Sequence, residues 1–397
     1  MTLKGKRILL GMTGGIAAYK AAELARALAK AGCDVRVAMT EAATRFVTPV
    51  TMQALTGQAA WTDLWDPRVA GNMSHIELSR DRDLILVAPA SADFLAKVAH
   101  GLADDLLSTL VLARRCALMV APAMNVEMWD NPATQRNLRR LREDGVAIAG
   151  PVAGDQACGE LGMGRMMEAA DIAVEVEAFF QPKALAGRRV LVTAGPTEEN
   201  IDPVRVITNS SSGKMGFAVA RAAREAGARV TLVSGPVALA TPAGVERVDV
   251  RSARQMFDAV KATVKGNDIF IAVAAVADWR IRKPSVKKIK KINGRVPALD
   301  FEENADILAW VAAQRDAPFC VGFAAESEKV AAHARAKRAQ KGVPLIAANL
   351  AQEALGADDN AITLFDARGR HSLGRGPKLE QARKLVAHVA GMLKKKR

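Results

Sequence analysis

The opening segment KRILLGMTGGIAAYKAAELARALAKAGCDVRVAMT constrains the fold more than any other part of the chain. Arg7–Leu10 reads as a buried strand, and a glycine-bearing loop follows it. Ala17–Ala29 carries apolar residues at helical spacing, Gly32 closes that helix, and Val35–Met39 is the next strand. The same grammar returns at Arg188, where RRVLVTAG is a strand, FAVARAAREAG a helix closed by glycine and RVTLVSG the following strand. Strand–helix alternation predicts mainly parallel sheets with right-handed crossovers. With 397 residues, too many for one ordinary core, the chain reads as two three-layer, Rossmann-like α/β domains.

In the first half, DLILVAPASADF and CALMVAPAMN each read as a strand ending in Ala-Pro-Ala. Ligands of open parallel sheets bind beyond the carboxyl ends of strands, so both turns should line one site. Residues 150–164 hold five glycines without apolar periodicity and read as a mobile flap. Ala170–Phe180 reads as a helix, and residues 181–187 (QPKALAG) as a linker between domains spanning 1–180 and 188–397. In the second half about twenty residues, GPTEENIDPVRVITNSSSGKMG, separate the first strand from the helix near Phe217, a length that points to function. NDIFIAVAAVADW reads as a later strand ending in Asp278, followed by the basic segment KPSVKKIKK and two further helix-and-strand units.

The net charge of +14 favours anionic partners. Nucleic acid is disfavoured, because the basic clusters lack interleaved aromatics and no binding motif is present. Cys33, Cys116, Cys158 and Cys320 are far apart, with no CxxC pair and no zinc-ligand spacing, which reads as a reducing compartment. Apolar runs such as Ile269–Ala277 fall far short of the ~20 residues that span a bilayer. A cytoplasmic protein without membrane association is expected.

The loop GMTGGIAAYK is not GxGxxG, so the dinucleotide fingerprint is absent. It is either a tight turn or a set of backbone N–H groups presented to a phosphate at a helix N-terminus. His75 (GNMSHIELSR), Asn125 (APAMNVEMW) and Cys158 (DQACGELGMGRM) place a base, an amide and a thiol on loops of one sheet. SSSGKMG resembles a P-loop ending, but Thr208 and Met215 stand where glycine and Ser/Thr belong, so the Walker reading fails. A Ser/Gly loop at a helix N-terminus remains, surrounded by Arg205, Asn209 and Lys214. Asp278 could hold Mg²⁺ through one carboxylate, with phosphates completing the shell. Lys288, Lys290 and Lys291 either neutralise those phosphates or form a solvated face.

The ordered motifs GGIAAYK, APASADFLAKVAHGLADDLL, APAMNVEMW and ACGELGMGRM, then TAGPTEENIDPVRVITNSSSGKMG, AAVADW, KIKK and GFAAE, resemble one family over nearly the whole chain. It is the bacterial bifunctional phosphopantothenoylcysteine decarboxylase / phosphopantothenate–cysteine ligase of coenzyme A synthesis. The resemblance implies a flavodoxin-like first domain that holds FMN at Gly14, Gly15, Ile16, Thr40, Ser91 and Ser108. It further implies that FMN supplies the electron sink for decarboxylation, with His75 as base, Asn125 on the substrate carboxylate and Cys158 as proton donor. The flap would keep water away.

For the second domain the resemblance implies a CTP-dependent ligase working through an acyl-cytidylate. Asp278 would hold Mg²⁺, Lys288 the α-phosphate, Asn209 the acyl carbonyl with support from Arg205, and Lys337 and Lys341 the triphosphate. The last two are spaced i, i+4 and share a helix face. Ala272, Val273, Ala274 and Phe323 would lie against the nucleotide, as would Asn304, Ala305, Asp306 and Ile307, where Ala305 replaces the family's usual proline. Implied partners are 4′-phosphopantothenate, cysteine and CTP. Implied assembly is homo-oligomeric, with decarboxylase trimers and ligase dimers joined into a dodecamer.

Overall fold

The computed structural model describes residues 3–66, 78–157, 159–290 and 298–394, and the chain divides into two compact units, Met1–Gln181 and Pro182–Arg397. In the first unit β1 (Arg7–Met12), β2 (Asp34–Met39), β3 (Leu84–Ala90), β4 (Ala117–Pro122) and β5 (Ala147–Ile148) form a parallel sheet in the order β2-β1-β3-β4-β5. This is the flavodoxin-like order, whose direction reverses between β1 and β3. Around it run α1 (Ala18–Lys30), α2 (Glu41–Thr44), α3 (Pro49–Thr56), α4 (Ala92–His100), α5 (Leu106–Leu112), α6 (Val126–Asp130), α7 (Pro132–Glu143) and α8 (Ala169–Phe179).

The strands read as unbroken apolar runs because both faces are covered. Ile8, Leu10 and Met12 pack on one side with Leu24 of α1 and Ile172 and Val176 of α8. Leu9, Ile85 and Val87 face the other side, against Phe94 of α4, Leu107 of α5 and Leu138 of α7. Leu24 is fully buried, so Leu24→Ala should cost about 2–5 kcal/mol.

The second unit repeats the three layers on a larger scale. Its strands are β8 (Arg189–Ala194), β11 (Arg229–Ser234), β12 (Val245–Asp249), β13 (Ile269–Ala272), β16 (Phe319–Glu326), β17 (Leu345–Leu350), β18 (Asp359–Asp366) and β19 (Gly369–Pro377). The order is β12-β11-β8-β13-β16-β17-β18-β19, parallel as far as β17 and antiparallel beyond it. The first six strands follow the dinucleotide-fold order, which reverses between β8 and β13. The helices are α9 (Lys214–Glu225), α10 (Ala253–Thr263), α11 (Ile307–Ala312), α12 (Val330–Lys341), α13 (Ala351–Ala354) and α14 (Lys378–Lys394). Val190, Val192 and Ile271 meet α9 and α14 on one face. Leu191 and Phe270 meet α10, α11 and α12 on the other.

Four details differ from the sequence reading. The glycine-rich segment read as a mobile flap is folded as an antiparallel hairpin, β6 (Val152–Asp155) and β7 (Leu161–Arg165). The long loop after β8 carries a second ribbon, β9 (Glu198–Asn200) paired with β10 (Val206–Thr208). The strand expected to reach Asp278 stops at Ala272; Val273 and Ala275 N–H still donate to Thr193 O (3.2 Å) and Gly195 O (2.9 Å), and Asp278 leads into a third ribbon, β14 (Trp279–Ile281) with β15 (Phe301–Glu303). After the two expected helix-and-strand units, α11–β16 and α12–β17, the chain adds an antiparallel pair, β18 and β19, and helix α14. Among the described residues no helix is long and apolar enough to cross a membrane.

Candidate active sites

In the first unit the predicted residues follow the carboxyl ends of adjacent strands. Gly14, Gly15 and Ile16 come after β1, Thr40 directly after β2, Ser91 directly after β3, and Asn125 shortly after β4. Helix α1 starts without a side-chain cap at Ala17, so the N–H groups of its first turn have no side-chain acceptor and suit an anion. Gly14 has no room for a side chain, since a Cβ there would stand 2.5 Å from that of Ala42, whereas Gly15 faces open space. Ile16 is 65% exposed beside them. The β1/β3 reversal is tied by Thr13, whose hydroxyl donates to Pro89 O (2.8 Å) and accepts from Ser91 N–H (3.0 Å). Thr40 and Ser91 cap α2 and α4 by accepting from Ala43 and Phe94 N–H, which leaves each hydroxyl hydrogen to donate. Ser108 is buried, and its hydroxyl is engaged with Asp105 in a capping box.

Asn125 begins α6, accepting from Glu127 N–H at 2.8 Å, and its Nδ2 donates to Glu160 at the tip of the β6–β7 hairpin. Gln156 fastens the same hairpin by accepting from Val126 N–H (3.0 Å), and Met124 N–H donates to Gly164 O (3.0 Å). Gly164 is needed for this docking. Its φ is +123°, and a Cβ would stand 2.4 Å from Met124 O. His75 and Cys158 lie outside the described residues.

In the second unit a cavity of about 430 Å³ opens beside the β8/β13 reversal. Ala272, Ala274, Asp278, Asn304, Ala305, Asp306, Ile307, Phe323, Lys337 and Lys341 all line it, with Thr193, Trp279 and Glu303. Lys337 reaches in from α12 and donates to Phe323 O at 2.8 Å. Burial, opposed by Glu326 and aided by Lys341, holds its pKa below the usual lysine value. Asp306 caps α11 by accepting from Ala309 N–H and pairs with Lys341. Burial pushes its carboxyl up, but Lys341, the Ala309 N–H and Lys337 outweigh that and leave it lowered. Asn304 fixes the rim, donating from Nδ2 to Ala277 O (2.9 Å) and from N–H to Asp278 O (2.8 Å). Asp278 is exposed.

The remaining predicted residues sit elsewhere. Val273 and Lys288 do not line the cavity, and Lys288 is exposed. Asn209 donates to Ala275 O at 2.9 Å. Arg205 grips Asp202 and the carbonyl of Ile289. Lys214 of the Ser/Gly loop pairs with Asp358 at 2.6 Å. A larger hollow of about 750 Å³ lies at the amino ends of β13 and β16, around Asp268 and Phe319. It is the wrong end of the sheet for a ligand of this fold.

Two family models cover the chain. Flavoprotein matches residues 1–181, and the C-terminal domain of the DNA/pantothenate metabolism flavoproteins matches 185–393. The coenzyme A biosynthesis bifunctional protein CoaBC of Vibrio cholerae is 51% identical over 94% of this chain and 94% of its own length. The chain belongs to the CoaBC family. The Escherichia coli member is 50% identical over 92% of each chain, and the Bacillus subtilis member 41% identical over 99% of this chain and 98% of its own. Like its relatives in the CoaBC family, the chain therefore joins a flavoprotein unit to a ligase-type unit end to end.

Sequence reasoning missed Thr13, Asp202, Trp279 and Glu303. Thr13 and Asp202 sat in view, one just before the first loop glycine and one in the Ile-Asp-Pro-Val-Arg run, but their partners are far away in sequence. Trp279 and Glu303 reach the cavity only through the β14–β15 pairing.

Proposed function

We propose that the chain makes 4′-phosphopantetheine in two steps, joining cysteine to 4′-phosphopantothenate at the expense of CTP and then decarboxylating the product with FMN. Residues 1–180 form the decarboxylase domain, 181–187 the linker and 188–397 the ligase domain. The observation that carries this reading is the cavity beside β13, which gathers lysines, carboxylates and the Asn304–Ile307 turn at the ligand-binding end of the sheet.

The first crevice suits FMN. The uncapped N-terminus of α1 and the open face of Gly15 suit its phosphate, and the Thr40 and Ser91 hydroxyls suit ribityl oxygens. When bound, the flavin would take two electrons from the thiol-bearing carbon, giving the departing carboxylate an electron sink, and would return them after decarboxylation to leave the product at the thiol level. Asn125 holds the carboxylate, so its amide must release Glu160 when substrate arrives. His75 removes the proton, and Cys158 protonates the enethiolate after CO₂ leaves. The hairpin, fixed to the Asn125 loop, excludes water.

In the ligase domain a carboxylate oxygen of 4′-phosphopantothenate attacks the α-phosphorus of CTP. The bond to the bridging oxygen breaks and pyrophosphate leaves. The cysteine amine then attacks the acyl carbon and CMP leaves with the C–O electron pair. Lys288 neutralises charge developing on the α-phosphate, Asn209 and Arg205 serve the acyl-cytidylate, and Lys337 and Lys341 hold the phosphate tail. Asp278, a hard oxygen donor, would hold Mg²⁺, and the ion would offset the charge of the CTP phosphates. Such chemistry needs neither membrane nor nucleic acid and fits the cytoplasm. Decarboxylase trimers linked by ligase dimers are the proposed assembly.

The purified chain should be yellow, and a colourless protein would remove the flavin assignment. Pyrophosphate release should require CTP, 4′-phosphopantothenate and Mg²⁺ together; equal release with ATP would show the nucleotide assignment to be wrong. A Cys158→Ser variant should release CO₂ and stall before product, and normal product formation would remove its proton-donor role.

A further inference from the structure

The basic segment that carries Lys288 is held by a buried carboxylate. Asp202 is 1% exposed, and both its oxygens are fully engaged. Oδ1 accepts from Val204 N–H and Arg205 N–H, each at 2.9 Å, which closes the turn between β9 and β10. Oδ2 accepts from the Arg205 guanidinium at 3.0 and 2.6 Å, and from Ile289 N–H at 3.1 Å. Arg205 completes the bracket by donating to Ile289 O at 2.9 Å. Both backbone groups of Ile289 are therefore gripped, and Ile289 stands between Lys288 and Lys290. Upstream, Ser285 N–H donates to Ile201 O (3.0 Å), while the Ser285 hydroxyl donates to Lys287 O (2.6 Å). Lys288 is thus fixed on both sides along its backbone.

The same turn leads into β10 and on to Asn209, which donates to Ala275 O at 2.9 Å. One carboxylate consequently sets two segments, the strand before Asn209 and the loop bearing Lys288. A lysine has a long flexible stem, and its head is placed only as well as its backbone. The Arg205 hydrogen bonds, opposed by burial, hold the Asp202 carboxyl well below the usual carboxylate range, so the bracket stays charged at every pH where the enzyme would work.

We propose that Asp202 is a positioning residue for the ligase reaction: through Arg205 and the backbone of Ile289 it fixes Lys288 at the α-phosphate of CTP. This rests on the ligase reading of Lys288 given above. It also gives Arg205, whose guanidinium donates to Ile289 O, a task on the Lys288 loop beside the one on the acyl-cytidylate. Asp202→Asn keeps the size of the side chain but turns an amide toward the Arg205 guanidinium and the Ile289 N–H, donor against donor.

The test uses the full-length protein and pyrophosphate release with CTP, 4′-phosphopantothenate and Mg²⁺. Displacing a reacting group by about 1 Å costs on the order of 100-fold, so kcat should fall by about that factor in Asp202→Asn. CTP affinity by calorimetry should stay within about threefold, which also shows that the nucleotide cavity is folded. In a Lys288→Gln background the same substitution should cost nothing further, since groups acting through one another are non-additive. Asp202→Glu, which restores the charge, should recover part of the rate. Wild-type kcat in Asp202→Asn, or full additivity with Lys288→Gln, would overturn the proposal. Wild-type activity of Lys288→Gln alone would overturn the ligase reading of Lys288 instead.

Discussion

At the scale of single residues, the cavity of the second unit depends on how lysines share their charge. Lys337 sits on buried ground and Lys341 is already paired with Asp306. A charge-assisted hydrogen bond contributes about 1.5–3 kcal/mol, so Lys337→Met should weaken CTP binding by roughly tenfold to a hundredfold, measured by calorimetry. The sign of the pH effect follows from the lowered pKa. The protonated lysine binds phosphate, so CTP affinity should fall as pH rises through that value, earlier than for an ordinary lysine near 10.4. Lys337→Met should flatten that limb of the profile. Gly14 offers a second test. Gly14→Ala forces a Cβ against Ala42 and should yield colourless protein, while Gly15→Ala should keep its flavin absorbance. The i, i+4 lysines and the glycine loop were legible in sequence because each signal is local. Arg205 was legible as a candidate residue, but its bracket with Asp202 was not, because Ile289, which closes it, is distant in the chain.

At the scale of elements, what the sequence concealed was antiparallel ribbon. The β6–β7 hairpin buries only Gly164 among the β7 residues, so no hydrophobic period announced it. The last strand, β19, buries none of its residues, and its register is held by pairing with β18 and by buried Asp366, which accepts from His371 and His388 at 3.1 Å each. The parallel strands were legible for the opposite reason, since covering both faces forces the apolar runs. The hairpin also carries a prediction. Gly164→Ala places a side chain where φ is +123° and Met124 O is 2.4 Å away, a strain of about 1–3 kcal/mol. The hairpin should lift from the Asn125 loop, so CO₂ release from phosphopantothenoylcysteine should slow while CTP-dependent pyrophosphate release is unchanged. Equal slowing of both activities would show a general loss of folding instead.

At the scale of the whole molecule, the four hydrophobic clusters found among the described residues each belong to one unit. Two draw only on residues before Gln181 and two only on residues after Pro182. Each unit closes its own three layers, so a chain cut between Gln181 and Pro182 should give two fragments that fold independently. Residues 1–181 should purify yellow and decarboxylate phosphopantothenoylcysteine. Residues 182–397 should release pyrophosphate from CTP with 4′-phosphopantothenate and form phosphopantothenoylcysteine when cysteine is added. Light scattering tests the proposed assembly, with a trimer expected for the first fragment and a dimer for the second. Leu185 sets how close the cut can come. It is buried in the second unit, and its N–H donates to Ala226 O at 2.9 Å, so fragments starting at Arg188 should lose stability relative to those starting at Pro182. A lower melting temperature for the shorter fragment, with pyrophosphate release intact below it, would place the 182–187 stretch in the ligase fold. Equal melting temperatures would make it a true linker.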